Sequence, residues 1–313
     1  MLSRTADNLF WLARYVERAD YLARILEAAQ RLSAMPSAYV GSTNEWESAV
    51  LTAGCSHSFF THFKEANEEN VTTFLAFSAD NPSSIRNCFE IARANARAVR
   101  TALTSAMWDA INGTWLELKR FGNVPGSREE ASNFLRWAQS ASILIDGLAY
   151  RTMLRSEAYW FSRLGIHIER ADNTARILDV KYHLLLPANE SIGGPLDYFQ
   201  WASILRSVNA LTAYHWVYRE SVKPWLVADL LILNDQMPRS LANCYDNLVQ
   251  NLDHMARAEG RQGPAQRQAH ATRTWVENSR MEEIFQDGLH EFIGAFIAAN
   301  NQLGAAIAEQ YLM

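Results

Sequence analysis

Glu17, Asp20 and Arg24 stand three and four residues apart, and Glu169, Asp172 and Arg176 repeat that spacing 152 positions later. On a helix each set gathers on one flank, because neighbours advance by about 100° per residue. Two carboxylates beside an arginine have three chemical uses. They can do acid–base work, they can bind a zwitterionic or carboxylate ligand with arginine as a bidentate fork, or they can fix a helix register through buried ion pairs. Arg18 and Arg170 adjoin the glutamates but project near Ile25 and Ile177, at the edge of the apolar arc. An arginine buried there needs a carboxylate or carbonyl partner.

Arg93, Arg97 and Arg100 form a third cluster, four and three residues apart. Like charges so placed repel unless something anionic faces them. Alone, the stripe reads as a solvated face; beside two carboxylate pairs, an internal network joining it to Glu17, Asp20, Glu169 and Asp172 is at least as good a reading. Glu169 is then expected to face either that stripe or a cavity. Such a network is structural or lines a pocket, and the sequence puts structure ahead.

Other chemistry is sparse. No histidine has a glutamate three residues before it, so the Glu-x-x-His pairs of a di-iron bundle are missing, and Asp287 before His290 is a poor imitation. Cys55, His57 and His62 have the spacing of half a zinc site without an evident second half. Nucleotide-binding glycine motifs, a P-loop and a Gly-x-Ser-x-Gly elbow are absent, and no nucleophile stands clearly beside a base. We expect no metal and no cofactor.

The charged sets must be positioned by helices, and the sequence says which. NLFWLARYVERADYLARILEA, from Asn8, returns as WFSRLGIHIERADNTARILDV, from Trp160. Both copies carry an apolar seam at four-three-four-three spacing: Leu12, Val16, Ala19, Ala23, Leu26 and Leu164, Ile168, Ala171, Ala175, Leu178. That spacing packs helices at shallow angles, and the central alanines admit a close neighbour. A repeat separated by half the chain implies a pseudo-twofold arrangement of two halves, about 1–150 and 151–313, within one domain spanning 1–313.

The predicted repeat helices run over about 3–34 and 157–186, the second stopped by Pro187; Pro36 and Gly41 mark the break after the first. Further helices are expected near 45–52, 71–77, 83–119, 127–150, 197–219, 223–233, 239–259, 264–277 and 281–312, with loops at 122–126, 189–195 and 260–263. Asn81-Pro82-Ser83-Ser84 looks like a helix start, and Ser127 with Glu130 is a capping box. The fold class is all-α.

Composition agrees. Hydrophobic residues make up 49%, with ten tryptophans, 14 glycines and 8 prolines, which suits a folded helical globule. A net charge of −5 argues against nucleic acid as a partner. Three scattered cysteines make no disulfide framework. Arg4, Asp7, Arg14, Glu17 and Arg18 interrupt any signal-peptide apolar region, and no uncharged apolar run of about 18 residues spans a bilayer. A soluble, cytoplasmic protein without a membrane partner is expected.

The duplicated ER-A-D…ARIL, ADNTARILDVKYHLLLP at 171–187, ANARAVR at 94–100 with Met107-Trp108 downstream, and LLILNDQMPRSL at 230–241 together resemble the alpha-E family, bacterial helical proteins named for their ER motif. The resemblance covers most of the chain and is thinner over 35–80 and 255–313. It implies company: alpha-E proteins are encoded with, or fused to, a circularly permuted ATP-grasp ligase, often beside a transglutaminase-like peptidase and sometimes a proteasome-related protease. The family is linked to making or attaching amide-linked peptides, so a peptide or amino acid is the expected substrate class; it lends no catalytic residue. Two roles follow, an accessory or scaffold subunit of the ligase, or a pathway enzyme such as an amide or aminoacyl transferase or hydrolase. The candidate ligand and partner residues are Glu17, Arg18, Asp20, Arg24, Arg93, Arg97, Arg100, Glu169, Arg170, Asp172, Asn173, Arg176 and Arg239. The second copy keeps Asp172-Asn173-Thr174 where the first has Asp20-Tyr21-Leu22, which ranks the second higher as a functional site.

Overall fold

The two copies of the repeat become the two longest helices, α1 (Ser3–Ser33) and α8 (Glu157–His183), and they lie against each other. A computed structural model describes residues 1–34, 44–122, 126–183 and 194–312. Ala19, Ala23, Ala171 and Ala175 are all fully buried, so the four-three stripe is the seam it was expected to be. The backbones come close at Gly165, where an added Cβ would sit 2.2 Å from the Phe10 carbonyl oxygen and 3.1 Å from Ala13 Cβ. Ala13 and Gly165 are equivalent positions of the two copies, and they meet face to face.

Between the repeat helices come α2 (Glu45–Thr52), α3 (Ser56–His62), α4 (Glu68–Thr72), α5 (Ile85–Ala98), α6 (Ser105–Leu118) and α7 (Arg128–Thr152). After α8 follow α9 (Pro195–Ser207), α10 (Leu211–Tyr218), α11 (Pro224–Ile232), α12 (Leu241–Glu259), α13 (Pro264–Asn278), α14 (Met281–Asp287) and α15 (Leu289–Ile307). Among the described residues there is no strand. The contacts close into two rings: α1, α5, α6 and α7 touch in turn, and so do α8, α12, α13 and α15. The α1–α8 seam joins one four-helix ring to the other.

Three expected helices are broken. The stretch 83–119 folds back on itself: α5 ends at Ala98, and Thr104 opens α6 by accepting from the Met107 amide at 3.3 Å. A capping threonine satisfies an orphan amide and makes a new helix start cheap. Asn209, with φ 56°, separates α9 from α10, and Gly288, with φ 111°, separates α14 from α15. Helix α3 has no counterpart among the predicted elements. The helix starts were read correctly at Ser84, which caps α5, and at Ser127, which caps α7. The Glu130 side chain there accepts from the Gly126 amide at 2.7 Å. The breaks at Pro36 and Gly41, the residues Asn123–Pro125, the stop at Leu186-Pro187 and most of the loop 189–195 lie outside the described residues. No described helix is long and apolar enough to cross a membrane.

Candidate functional site

The polar flank of α1 is not a surface. Glu17, Asp20 and Arg24 are only 5%, 2% and 4% exposed, because α8 and the segment before α12 close over them. Arg170 of α8 grips Glu17 with two bonds, Nε to Oε1 at 2.9 Å and Nη2 to Oε2 at 2.8 Å. Arg239 then bridges the flank, donating from Nη1 to Glu17 Oε1 at 2.8 Å and from Nη2 to Asp20 Oδ2 at 2.7 Å. Arg24 Nε completes Asp20 Oδ2 at 2.7 Å. The Arg239 backbone is itself held, since the Thr174 hydroxyl donates to its carbonyl at 2.8 Å.

The other flank returns the exchange. Arg18 of α1 grips Glu169 of α8, Nε to Oε1 at 2.6 Å and Nη2 to Oε2 at 3.0 Å, while Arg14 Nε adds a third bond to Oε2 at 2.8 Å. Arg176 Nε donates to Asp172 Oδ2 at 2.7 Å, one helical turn away. The pairing is thus reciprocal: each glutamate of a Glu-Arg pair takes the arginine of the other pair. Such forked, charge-assisted bonds between carboxylate and guanidinium are the strong and directional kind. Burial pushes the Glu17 and Glu169 carboxyls up, but the arginines opposite outweigh it and hold both below the usual carboxylate range.

The two flanks differ in closure. Glu17 and Asp20 are sealed beneath Arg239, whereas Glu169 and Asp172 border a polar cavity of about 140 Å³ with Arg18, Asn173, Arg176 and Gly54 on its walls. Asn173 is 3% exposed, and its Nδ2 has no hydrogen-bond partner. Gly54 is needed there, because its φ is +68° and an added Cβ would come within 3.0 Å of Arg176 Nη1. In the first copy Tyr21 stands at the place of Asn173 and spends its hydroxyl on the Thr52 carbonyl at 2.9 Å.

The arginine stripe of α5 and the turn after it is elsewhere. Arg93 bonds Asn112 at 3.1 Å and lies 3.6 Å over the Trp115 ring, Arg100 lies 4.9 Å over Trp108, and Arg97 is exposed. Arg93 and Arg100 face α6, while the buried face of α5, with Phe89, Ala92 and Ala96, is turned to α1. For Arg93 and Arg100 the anionic partner is replaced by aromatic faces, which attract a guanidinium through the ring quadrupole. The expected link from Arg93, Arg97 and Arg100 to the repeat carboxylates is therefore corrected. Glu169 takes the other expected option, the cavity. Sequence reasoning missed Arg14, Thr174 and Gly54; the Arg14–Arg18 spacing of four was a visible signal, being a like-charge pair that wants an anion. Cys55 and His62 bond locally, to the Val50 and Ser58 carbonyls, and among the described residues no three metal-capable side chains gather.

A family model matches residues 1–312 and is described as Alpha-E, a predicted alpha-helical domain with a conserved ER motif. The chain belongs to the Alpha-E family. It carries Glu-Arg twice, at 17–18 and 169–170, which are the two pairs that exchange partners. Over 94% of its length the chain is 23% identical to the uncharacterized protein Mb2597 of Mycobacterium bovis and to the uncharacterized protein MT2643 of Mycobacterium tuberculosis CDC 1551. It is 22% identical to the uncharacterized protein Rv2567 of Mycobacterium tuberculosis H37Rv. The chain spans 35% of the length of these relatives. No solved structure matches it.

Proposed function

We propose that this Alpha-E chain is a non-catalytic accessory or scaffold module that works with a circularly permuted ATP-grasp ligase in making or attaching an amide-linked peptide. The observation that carries the reading is the state of the motif carboxylates. A general base works best with a pKa near the operating pH, yet Glu17 and Glu169 are each held ionised by two arginines and are poor proton acceptors. Burial also pushes the Cys55, Cys88 and Cys244 thiols up to about 12, which leaves no ready thiolate.

Two further facts fit a module that works through contact. Trp216 and Val217 on α10 and Trp225 on the next helix, α11, are 75%, 50% and 50% exposed, and large exposed apolar side chains offer contact area to a partner. In the longer relatives the region similar to this chain makes up 35% of the length, which suits a module with neighbours. A transglutaminase-like peptidase is a second partner of the same system. The rival reading, an amide or aminoacyl transferase or hydrolase, is favoured by the cavity beside Glu169 and Asp172.

The test is co-purification of the tagged chain with a circularly permuted ATP-grasp ligase of the same organism, followed by ATP-dependent ligation with and without the chain. The expected result is a complex that raises ligase output and that Trp216→Asp with Trp225→Asp dissolves. Amide transfer or hydrolysis by the chain alone, abolished by Glu169→Gln in a protein that still folds, would instead establish the enzyme reading.

A further inference from the structure

The two halves can be compared atom by atom. Glu17 Oε1 accepts from Arg170 Nε and again from Arg239 Nη1. Asp20 Oδ2 accepts from Arg24 Nε and again from Arg239 Nη2. One guanidinium thus ties Glu17 to Asp20. At the equivalent positions Glu169 also takes three arginine bonds, but its third, from Arg14, goes to Oε2, so Oε1 accepts from Arg18 Nε alone; Asp172 Oδ2 accepts from Arg176 Nε alone, and Asp172 Oδ1 is buried without a donor. Among the described residues nothing supplies the second donor to either oxygen. Where Arg239 ties Glu17 to Asp20, no one group among the described residues ties Glu169 to Asp172, and a cavity of about 140 Å³ lies beside them.

Charge decides what the missing partner is. Glu169 and Asp172 are already answered by Arg14, Arg18 and Arg176, so a bare cation would enter a site that holds an excess of positive charge. The occupant must bring an anion with its cation. Acceptors for a cation and donors for an anion both lie on the walls: the two carboxylate oxygens on one side, and on the other Asn173 Nδ2, buried without an acceptor, with the outer guanidinium nitrogens of Arg176.

We propose that this cavity binds a free α-amino acid, its ammonium between Glu169 and Asp172 in the bridging role that Arg239 fills in the first half, and its carboxylate toward Asn173 and Arg176. Size agrees. A cavity of about 150 Å³ holds the six heavy atoms of benzene, and the amine, Cα, Cβ and carboxylate also number six. The side chain beyond Cβ then leaves by the mouth at exposed Gly54, so the site reads the head of the amino acid rather than its side chain. This goes beyond the accessory reading and stands or falls without a ligase.

The experiment is a thermal-melt panel on the isolated full chain with millimolar L-alanine, L-leucine, L-lysine and L-glutamate against N-acetyl-L-alanine and L-alaninamide. The free amino acids should each raise Tm by roughly 2 °C or more, as expected when ligand exceeds its Kd several-fold, and the two blocked forms should not. Asn173→Ala and Asp172→Asn, checked for helicity by circular dichroism, should lose the rise. If Asp172→Asn does not fold, Asn173→Ala decides the location. Absence of a rise with every free amino acid overturns the proposal. So does an equal rise with alaninamide alone, which means a bare cation site, or with N-acetylalanine alone, which means an anion site. A rise that survives in both variants places binding elsewhere and overturns it too.

Discussion

Arg239 holds two buried carboxylates from outside either repeat helix, and its side chain is 16% exposed. Removing one partner of a buried pair leaves an uncompensated charge at a cost of about 3 to 5 kcal/mol, whereas an exposed arginine on a screened face changes stability by about 0.5 kcal/mol or less. Urea unfolding should therefore show Arg239→Ala strongly destabilised and Arg97→Ala close to the parent; similar losses for both would contradict the bridge. Glu169→Gln belongs with the costly group, since three arginine bonds converge on that carboxylate. Acid adds a second test. Burial, with Arg163 and Arg170 beside it, pushes the His167 imidazole well below its ordinary 6.5, so the unfolded chain takes up that proton first and stability falls as pH drops below 6.5. Glu17 and Glu169 are depressed below their ordinary 4.5, and their contribution is complete above that value and lost beneath it. Melting temperature should fall in two steps as pH is lowered, and His167→Gln should remove the first alone. An unchanged first step in that variant would show that His167 is not buried neutral. At this scale the duplicated triplets and Arg170's need for a carboxylate were legible, because spacing on one helix is enough to find them. Arg239's role was not, since its partners lie 222 and 219 positions away and only the fold brings them together.

The α1–α8 seam depends on small residues where the backbones come close. Gly165→Ala should gain about 0.5 to 1 kcal/mol of helix propensity, but its Cβ would strike the Phe10 carbonyl, backbone that cannot swing aside. Overpacking of that kind costs about 1 to 3 kcal/mol, so the clash wins and the variant is less stable. Gly113→Ala in α6 is the control, because a Cβ there meets nothing within 4 Å and only the gain remains. Denaturant melts in which Gly165→Ala equals or exceeds Gly113→Ala in stability would mean that the helices sit farther apart. The seam itself was legible from the four-three spacing of Leu12, Val16, Ala19, Ala23 and Leu26. The breaks at Thr104, Asn209 and Gly288 were not: apolar periodicity runs through them, and a single cap or left-handed residue decides the chain's direction.

Across the molecule, two four-helix rings share one seam, and the Glu-Arg pairs are the cross-braces of that seam. Both functional proposals depend on this exchange: it withdraws the glutamates from acid–base work, and it leaves one half sealed and the other open. The family and the all-helical class were legible in the sequence, as were the two helices that matter most. The closing of one flank by Arg239 and the cavity at the other depend on loops and helix turns that periodicity cannot order. The most direct measurement is a pair of double-mutant cycles on unfolding free energy, Glu17→Gln with Arg170→Met and Glu169→Gln with Arg18→Met, set against the non-exchanging cycle of Glu17→Gln with Arg18→Met. Direct contacts should give coupling of about 1 to 3 kcal/mol in the first two, and the third should be additive within about 0.5 kcal/mol. Additivity in the first two cycles, or strong coupling between Glu17 and Arg18, would contradict the reciprocal exchange on which the account rests.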